Sequence, residues 1–210
     1  MSSSQPETKG PTSRTRRKPR SREQRARENR SALINAAADI VGERGFEGAT
    51  ITEITRRAGI SLGAFYQHFD SREDLFGQLL PEVGSRLISA LSHETHEGKD
   101  LLGGEERAIR AYFRYVNSGS PIMRLFKESE VYAPATYQAY MDDVLLRYSR
   151  TLRRSKSEGA FDAFDDRELE AIALMLTMAR VEFYYRYASH GEDTAWIEAA
   201  FVKIVRKLSA

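Results

Sequence analysis

Apolar residues recur at helical spacing along most of the chain, and no stretch sustains the two-residue alternation of a strand. Leu33, Ala37, Ile40 and Val41 fall at i, i+4, i+7 and i+8, which predicts a first helix from about residue 25. Gly45, after Arg44, suits a left-handed stop. Thr50 should cap a second helix, with Glu53 completing a capping box and Ile51, Ile54 and Ala58 forming a narrow apolar stripe. Gly59 ends it, and Ile60 reads as the buried residue of the turn. Ser61 caps a third helix of about two turns through Phe69. Ser71 and Asp74 open a fourth carrying Leu75, Phe76, Leu79 and Leu80, which Pro81 should kink or restart. His93 to Gly104 reads as a polar loop. Helices are then expected at about 105–117, 121–130, 134–157, 166–189 and 193–208, punctuated by Ser120–Pro121, Asp165–Glu168, Gly191 and Asp193. The pattern is all-α.

Two short helices joined by a glycine-containing turn form a helix-turn-helix, whose second helix offers its N-terminal half and one flank to a DNA major groove. Leu62, Phe65 and Phe69 share one stripe, so at least Phe65 and Phe69 should pack inward. Gly63, Ala64 and Gln67 then face outward, with Tyr66 and His68 on a flank beside them. The two small residues leave room for a base edge, while Tyr66 and His68 can donate to phosphate oxygens. The competing reading is a three-helix bundle whose Tyr and His only cap its own core.

Charge bears on that choice. Residues 1–30 hold ten Lys/Arg against three acids, a net of +7 in a chain of net +2, so the other 180 residues carry −5. Residues 1–24 read as a disordered arm, rich in Ser, Thr, Pro and Arg and too poor in apolar residues to order itself. Such an arm is either a solvating tail or a contact for a polyanion. The absence of cysteine excludes disulfides, thiolate nucleophiles and Cys-type zinc sites, and it fits a reducing cytoplasm. The longest apolar run, 171–179, is interrupted by one threonine and is far short of the roughly 20 residues that span a bilayer, so no membrane is expected. Four scattered histidines (68, 93, 96 and 190) and no Gly-rich phosphate loop leave no site for chemistry or a cofactor; an enzyme is not expected. His93, His96 and Glu97 could ligate a metal or simply line a solvated loop.

The run "ALINAAADIVGERGFEGATITEITRRAGISLGAFYQHFDSREDLF" closely resembles the DNA-binding domain of TetR-family transcription regulators. Its "ERGFEGAT" helix end, "AGIS" turn, "FYQHF" segment and "SREDLF" start carry the likeness. The resemblance implies a helix-turn-helix domain at residues 25–70 and a ligand-binding, dimerising helical domain at 71–210. It also implies DNA contacts from Thr50, Thr52, Ser61, Leu62, Gly63, Ala64, Tyr66 and His68 on a palindromic double-stranded operator. A basic residue is usual where Thr52 and Leu62 stand, and the arm is read as compensating for that charge.

Beyond residue 80, Tyr and Met are plentiful, Tyr132, Tyr140 and Met175 among them. Tyr112, Phe113, Met123, Phe126, Tyr137, Met141, Met178, Phe183 and Tyr184 are either plain core or an adaptable cavity for an apolar ligand. Arg180, set in "LTMARVEFYY", either pairs with an acid such as Glu182 or Glu130 or anchors an anionic head group. The wide apolar faces of the last two helices suit a four-helix bundle built from two subunits, and the resemblance also points to a homodimer. The stretch "RLFKESEVYAPATYQAYMDDVL" loosely resembles ligand domains that sense fatty-acyl compounds. The expectation is a repressor released from DNA by a small apolar or amphipathic molecule, a fatty-acyl compound among the candidates. The alternative is a non-specific nucleic-acid-binding protein acting through its arm.

Overall fold

A computed structural model describes residues 21–96 and 101–210, so all but the last four residues of the expected basic arm lie outside the described residues. Nine α-helices and one 3-10 turn are present among them, and no strand. The helices are α1 (Arg22–Gly48), α2 (Ile51–Ala58), α3 (Leu62–Phe65), α4 (Arg72–His96), α5 (Leu101–Val116), α6 (Ile122–Tyr132), α7 (Pro134–Ser157), α8 (Asp166–Arg186) and α9 (Ala195–Leu208).

α1 starts on Ser21, whose hydroxyl accepts from the Gln24 N–H, and buries Leu33, Ala37, Ile40 and Val41 as their spacing requires. It is broken at Gly45, whose φ of 78° and ψ of 175° are non-helical. Thr50 caps α2 through the Glu53 N–H, but the capping box is only half made. The Glu53 carboxylate turns to Arg56 instead, at 2.7 Å, because a guanidinium one turn away offers a charged partner. Gly59, at φ 68°, supplies the left-handed residue that the tight turn into α3 needs.

Three expectations are corrected. The third helix holds only one α-turn to Phe65, after which bonds such as Gln67 N–H to Ala64 tighten the chain to Phe69. Pro81 does not restart α4, which runs through it to His96: the ring is exposed and only the Gly77 carbonyl loses its helical partner. The expected loop from His93 is therefore helix up to His96, and α5 begins at Leu101.

α6 is laid against the broken end of α1. The Gly45 break turns the Phe46 N–H outward, and Glu128 accepts it at 2.6 Å. Arg124 pairs with Glu128 at 2.8 Å and reaches the Gly42 carbonyl at 3.3 Å. Tyr132 stacks on Phe46 with centroids 5.3 Å apart and donates to Glu47. α4 packs along α1, α5, α6 and α7 and so joins the N-terminal helices to the rest. Near its middle, Gly84 sits so close to Tyr140 of α7 that a methyl group there would lie 2.4 Å from the ring.

Candidate nucleic-acid interface and buried cavity

Ser61 accepts from the Ala64 N–H at 3.2 Å and so fixes the first turn of α3. Phe65 and Phe69 are 0% and 2% exposed and pack on the α1 core, as their stripe demands. This orientation turns Leu62 and Tyr66 to solvent, each 53% exposed, with Tyr66 set edge-on against Phe65. Gly63 is exposed, and a Cβ there would meet nothing within 4 Å. Thr50, Thr52 and Ser61 are exposed, and Ala64 and His68 half-buried. All eight residues read from the sequence thus keep some exposure, from the start of α2 to the end of the α3 segment.

The arginines near that surface are already matched. Arg57 forms a forked pair with Glu43 at 2.6 and 2.8 Å, Arg56 pairs with Glu53, and Arg44 lies within reach of both acids. The Arg57 hydrogen bond holds the Glu43 carboxyl below its usual range, and Arg56 does the same for Glu53. Residues 21–70 contain seven Lys/Arg and seven Asp/Glu, so this part is neutral, whereas residues 1–20 carry six Lys/Arg and one Glu. Excess positive charge lies almost wholly in the arm.

A cavity of about 190 Å³ lies between α4, α5, α6, α7 and α8. Of the ten residues proposed from the sequence, Tyr112, Met123, Phe126, Met141 and Arg180 line it. The other five do not. Phe113 is core at 1% exposure, Tyr137 stands behind the wall against Phe126, and Tyr184 faces a polar cleft near Gly42. Phe183 lies against Tyr187, and Met178 is half-buried outside the lining.

Apolar walls come from α4 (Leu87, Ile88, Leu91) and α6 (Ile122, Met123, Phe126). One end is polar. Arg180 meets Glu105 at 2.9 Å, their side chains 10% and 6% exposed, and Tyr148 donates to the same carboxylate oxygen at 3.0 Å. The partner of Arg180 is therefore neither Glu182, which pairs with Arg186, nor Glu130. The guanidinium also lies over the rings of Tyr148 and Phe201, at 5.1 and 4.6 Å. Burial works against its charge, but Tyr148 and Glu105 more than offset this and raise its pKa. Burial likewise pushes the Tyr112 and Tyr148 phenols well above their usual range, opposed in part by Arg180, and raises Tyr140 to about 12. Both Tyr112 and Tyr148 are neutral donors at physiological pH.

Sequence reasoning missed Glu105 and Tyr148, while Tyr140, one of the plentiful tyrosines, also lines the cavity. Nothing local separates Glu105 from its neighbour Glu106; only its long-range meeting with Arg180 makes it special. No group of three or more His, Asp or Glu that could hold a metal is present among the described residues, and the proposed His93, His96, Glu97 group lies partly outside them.

Residues 33–79 match the family described as "Bacterial regulatory proteins, tetR family". The chain is 30% identical over 103 residues to the HTH-type transcriptional activator FasR of Mycolicibacterium smegmatis, covering 49% of this chain and 47% of that one. It is 21% identical to the HTH-type transcriptional repressor KstR2 of Rhodococcus jostii, over 80% of this chain and 76% of that one. The fold matches a putative TetR-family regulator from Rhodococcus sp. with a TM-score of 0.75 at 17% identity, covering 88% and 100% of the two chains. It also matches the fatty acid degradation regulator FadR from Bacillus halodurans, at 0.73 and 18%, covering 84% and 94%. Residues 33–79 thus carry the DNA-binding domain of the TetR family. The described residues are all-α, and the chain spans about half the length of FasR.

Proposed function

We propose that this TetR-family protein is a homodimeric transcription repressor that binds a palindromic operator and releases it when a small apolar or amphipathic effector fills the α4–α8 cavity. In this reading residues 1–24 are a basic arm, 25–70 the DNA-binding head and 71–210 the effector-binding and dimerising body. The observation that carries it is the capped, outward-facing α3 segment, with Leu62, Gly63 and Tyr66 open to solvent on residues that match the regulator family. Because the head is neutral and the α2 arginines are paired, the arm is the source of charge for the phosphate backbone.

Dimerisation through α8 and α9 is supported by Leu174, Met175, Trp196 and Ile204, which are 44–60% exposed on those helices in the single chain. A fatty-acyl effector is favoured by the apolar walls and by the likeness to FadR, whose printed description concerns fatty acid degradation. A DNA partner places the protein in the cytoplasm, and no helix among the described residues is long and apolar enough to cross a membrane.

The test selects DNA from a random pool with the full chain, then compares the enriched sequence with a scrambled one at fixed salt. A regulator should prefer the enriched site by about 10³ or more. Equal affinity for both would favour the alternative, a non-specific binder working through its arm.

A further inference from the structure

At the polar end of the cavity, the Arg180 charge is already matched by Glu105 at 2.9 Å, and both side chains are nearly sealed from water. Arg147, the other guanidinium in the lining, lies in an exposed pair with Asp143 at 2.7 Å, where water screens its charge. A free carboxylate entering here would leave a second negative charge beside Glu105, or would displace Glu105 and strand a buried carboxylate. Either outcome is unfavourable in a low-dielectric site. Yet Arg180, a residue of the lining, keeps a vacant donor: its Nε–H is buried and has no hydrogen-bond partner. That N–H asks for an acceptor without charge.

We infer that the cavity takes an amphiphile whose polar end is an uncharged carbonyl, as in an amide, ester or thioester, and rejects the corresponding free acid. The Arg180 Nε–H would hold the carbonyl oxygen, and the chain would lie between the α4 and α6 walls. The volume also limits the guest. At about 190 Å³ the space is of the order of the roughly 150 Å³ cavity that holds a benzene, so a short acyl chain fits. This rests on the effector reading above, but it concerns binding alone.

Hexanamide and hexanoate make a matched pair of probes, differing only in the head group. Their binding to the full chain is measured by calorimetry and by the rise in thermal midpoint, with no DNA present. Hexanamide should bind about tenfold or more tightly than hexanoate. Glu105→Gln frees the Arg180 charge and should reverse the order. Equal binding, tighter hexanoate, or no binding of either probe by the wild-type protein would overturn the inference. So would a folded Glu105→Gln protein with unchanged preference. If that variant does not fold, the wild-type comparison decides alone. Hexanamide binding that leaves operator affinity untouched would count against the regulatory reading and leave this one standing.

Discussion

The α1–α3 head and the α4–α8 cavity treat charge in opposite ways. In the head, guanidinium and carboxylate groups meet at the surface, where water screens them: Arg56 is 68% exposed against Glu53, and Glu43 50% against Arg57. In the cavity, Arg180 and Glu105 come from helices far apart in sequence and meet where water is nearly excluded. The surface pairs neutralise the region around the exposed α3 segment. The buried pair is a fixed dipole at the end of an apolar chamber. The lesson is that the value of a salt bridge depends on its surroundings: exposed pairs contribute little, while breaking a buried one is expensive.

The sharpest way to break the contrast is to remove one partner of the buried pair. Arg180→Ala leaves Glu105 stranded and should destabilise the fold by about 3–5 kcal/mol in urea unfolding. The double variant Arg180→Met with Glu105→Leu should recover most of that loss. If the single change costs no more than a surface pair, the cavity is wetter than its burial implies.

Next comes the open face. Tyr66→Phe deletes one hydroxyl from an exposed ring and should leave the fold unaffected, whereas His68→Ala removes a half-buried imidazole and should cost a little stability. Each should weaken binding to operator and unrelated DNA alike, by about tenfold, as expected of phosphate contacts. A change of preference at a single base pair would instead make the residue a base reader.

A smaller effect should come from the cap that holds that face in place. Ser61→Ala removes the acceptor for the Ala64 N–H and should cost about 1 kcal/mol of stability. Because α3 is a single turn, hydrogen exchange should quicken in residues 62–69 before it does in α5 or α8.

The smallest effect concerns the surface pairs. Arg57 lowers the Glu43 pKa in the folded state, so the pair stabilises the protein above the ordinary carboxylate value of 4.5. That contribution fades as pH falls below 4.5 through the lowered folded value. Glu43→Gln should remove only this slight slope from the acid limb of a stability–pH curve. A large change at neutral pH would show that the pair is more than a solvated contact.

The two regions also differ in how far their sequences could be read. In the head, each decision is local. Thr50 and Ser61 cap, Gly59 turns, and Phe65 and Phe69 fall on one stripe, so their burial followed from spacing. The local reading went astray where two local bonds competed, as when Glu53 chose Arg56 over the Thr50 backbone, and where α3 tightened after one turn. Along α4 it overstated Pro81, since an exposed ring costs a helix one hydrogen bond without ending it. The cavity depends on meetings across the fold. A Tyr- and Met-rich composition pointed to Tyr112, Met123, Phe126 and Met141, but it could not tell them from Phe113, which only fills core. No short-range pattern could join Glu105 and Tyr148 to Arg180.

The contact between Glu128 and the Phe46 N–H has a bearing on modularity. A helix end usually finds its caps within its own neighbourhood, yet here an acid 82 residues further along finishes the job. Residues 21–70 are therefore not a self-sufficient cassette. Grafted onto a relative's body, this head would need a carboxylate at the place of Glu128; a relative's head set on this body would need a glycine at that of Gly45, where φ is 78° and a methyl group would lie 2.8 Å from Arg124 and Glu128. Chimeras within the family are thus constrained by a seam that lies across the fold rather than at any one point along the chain.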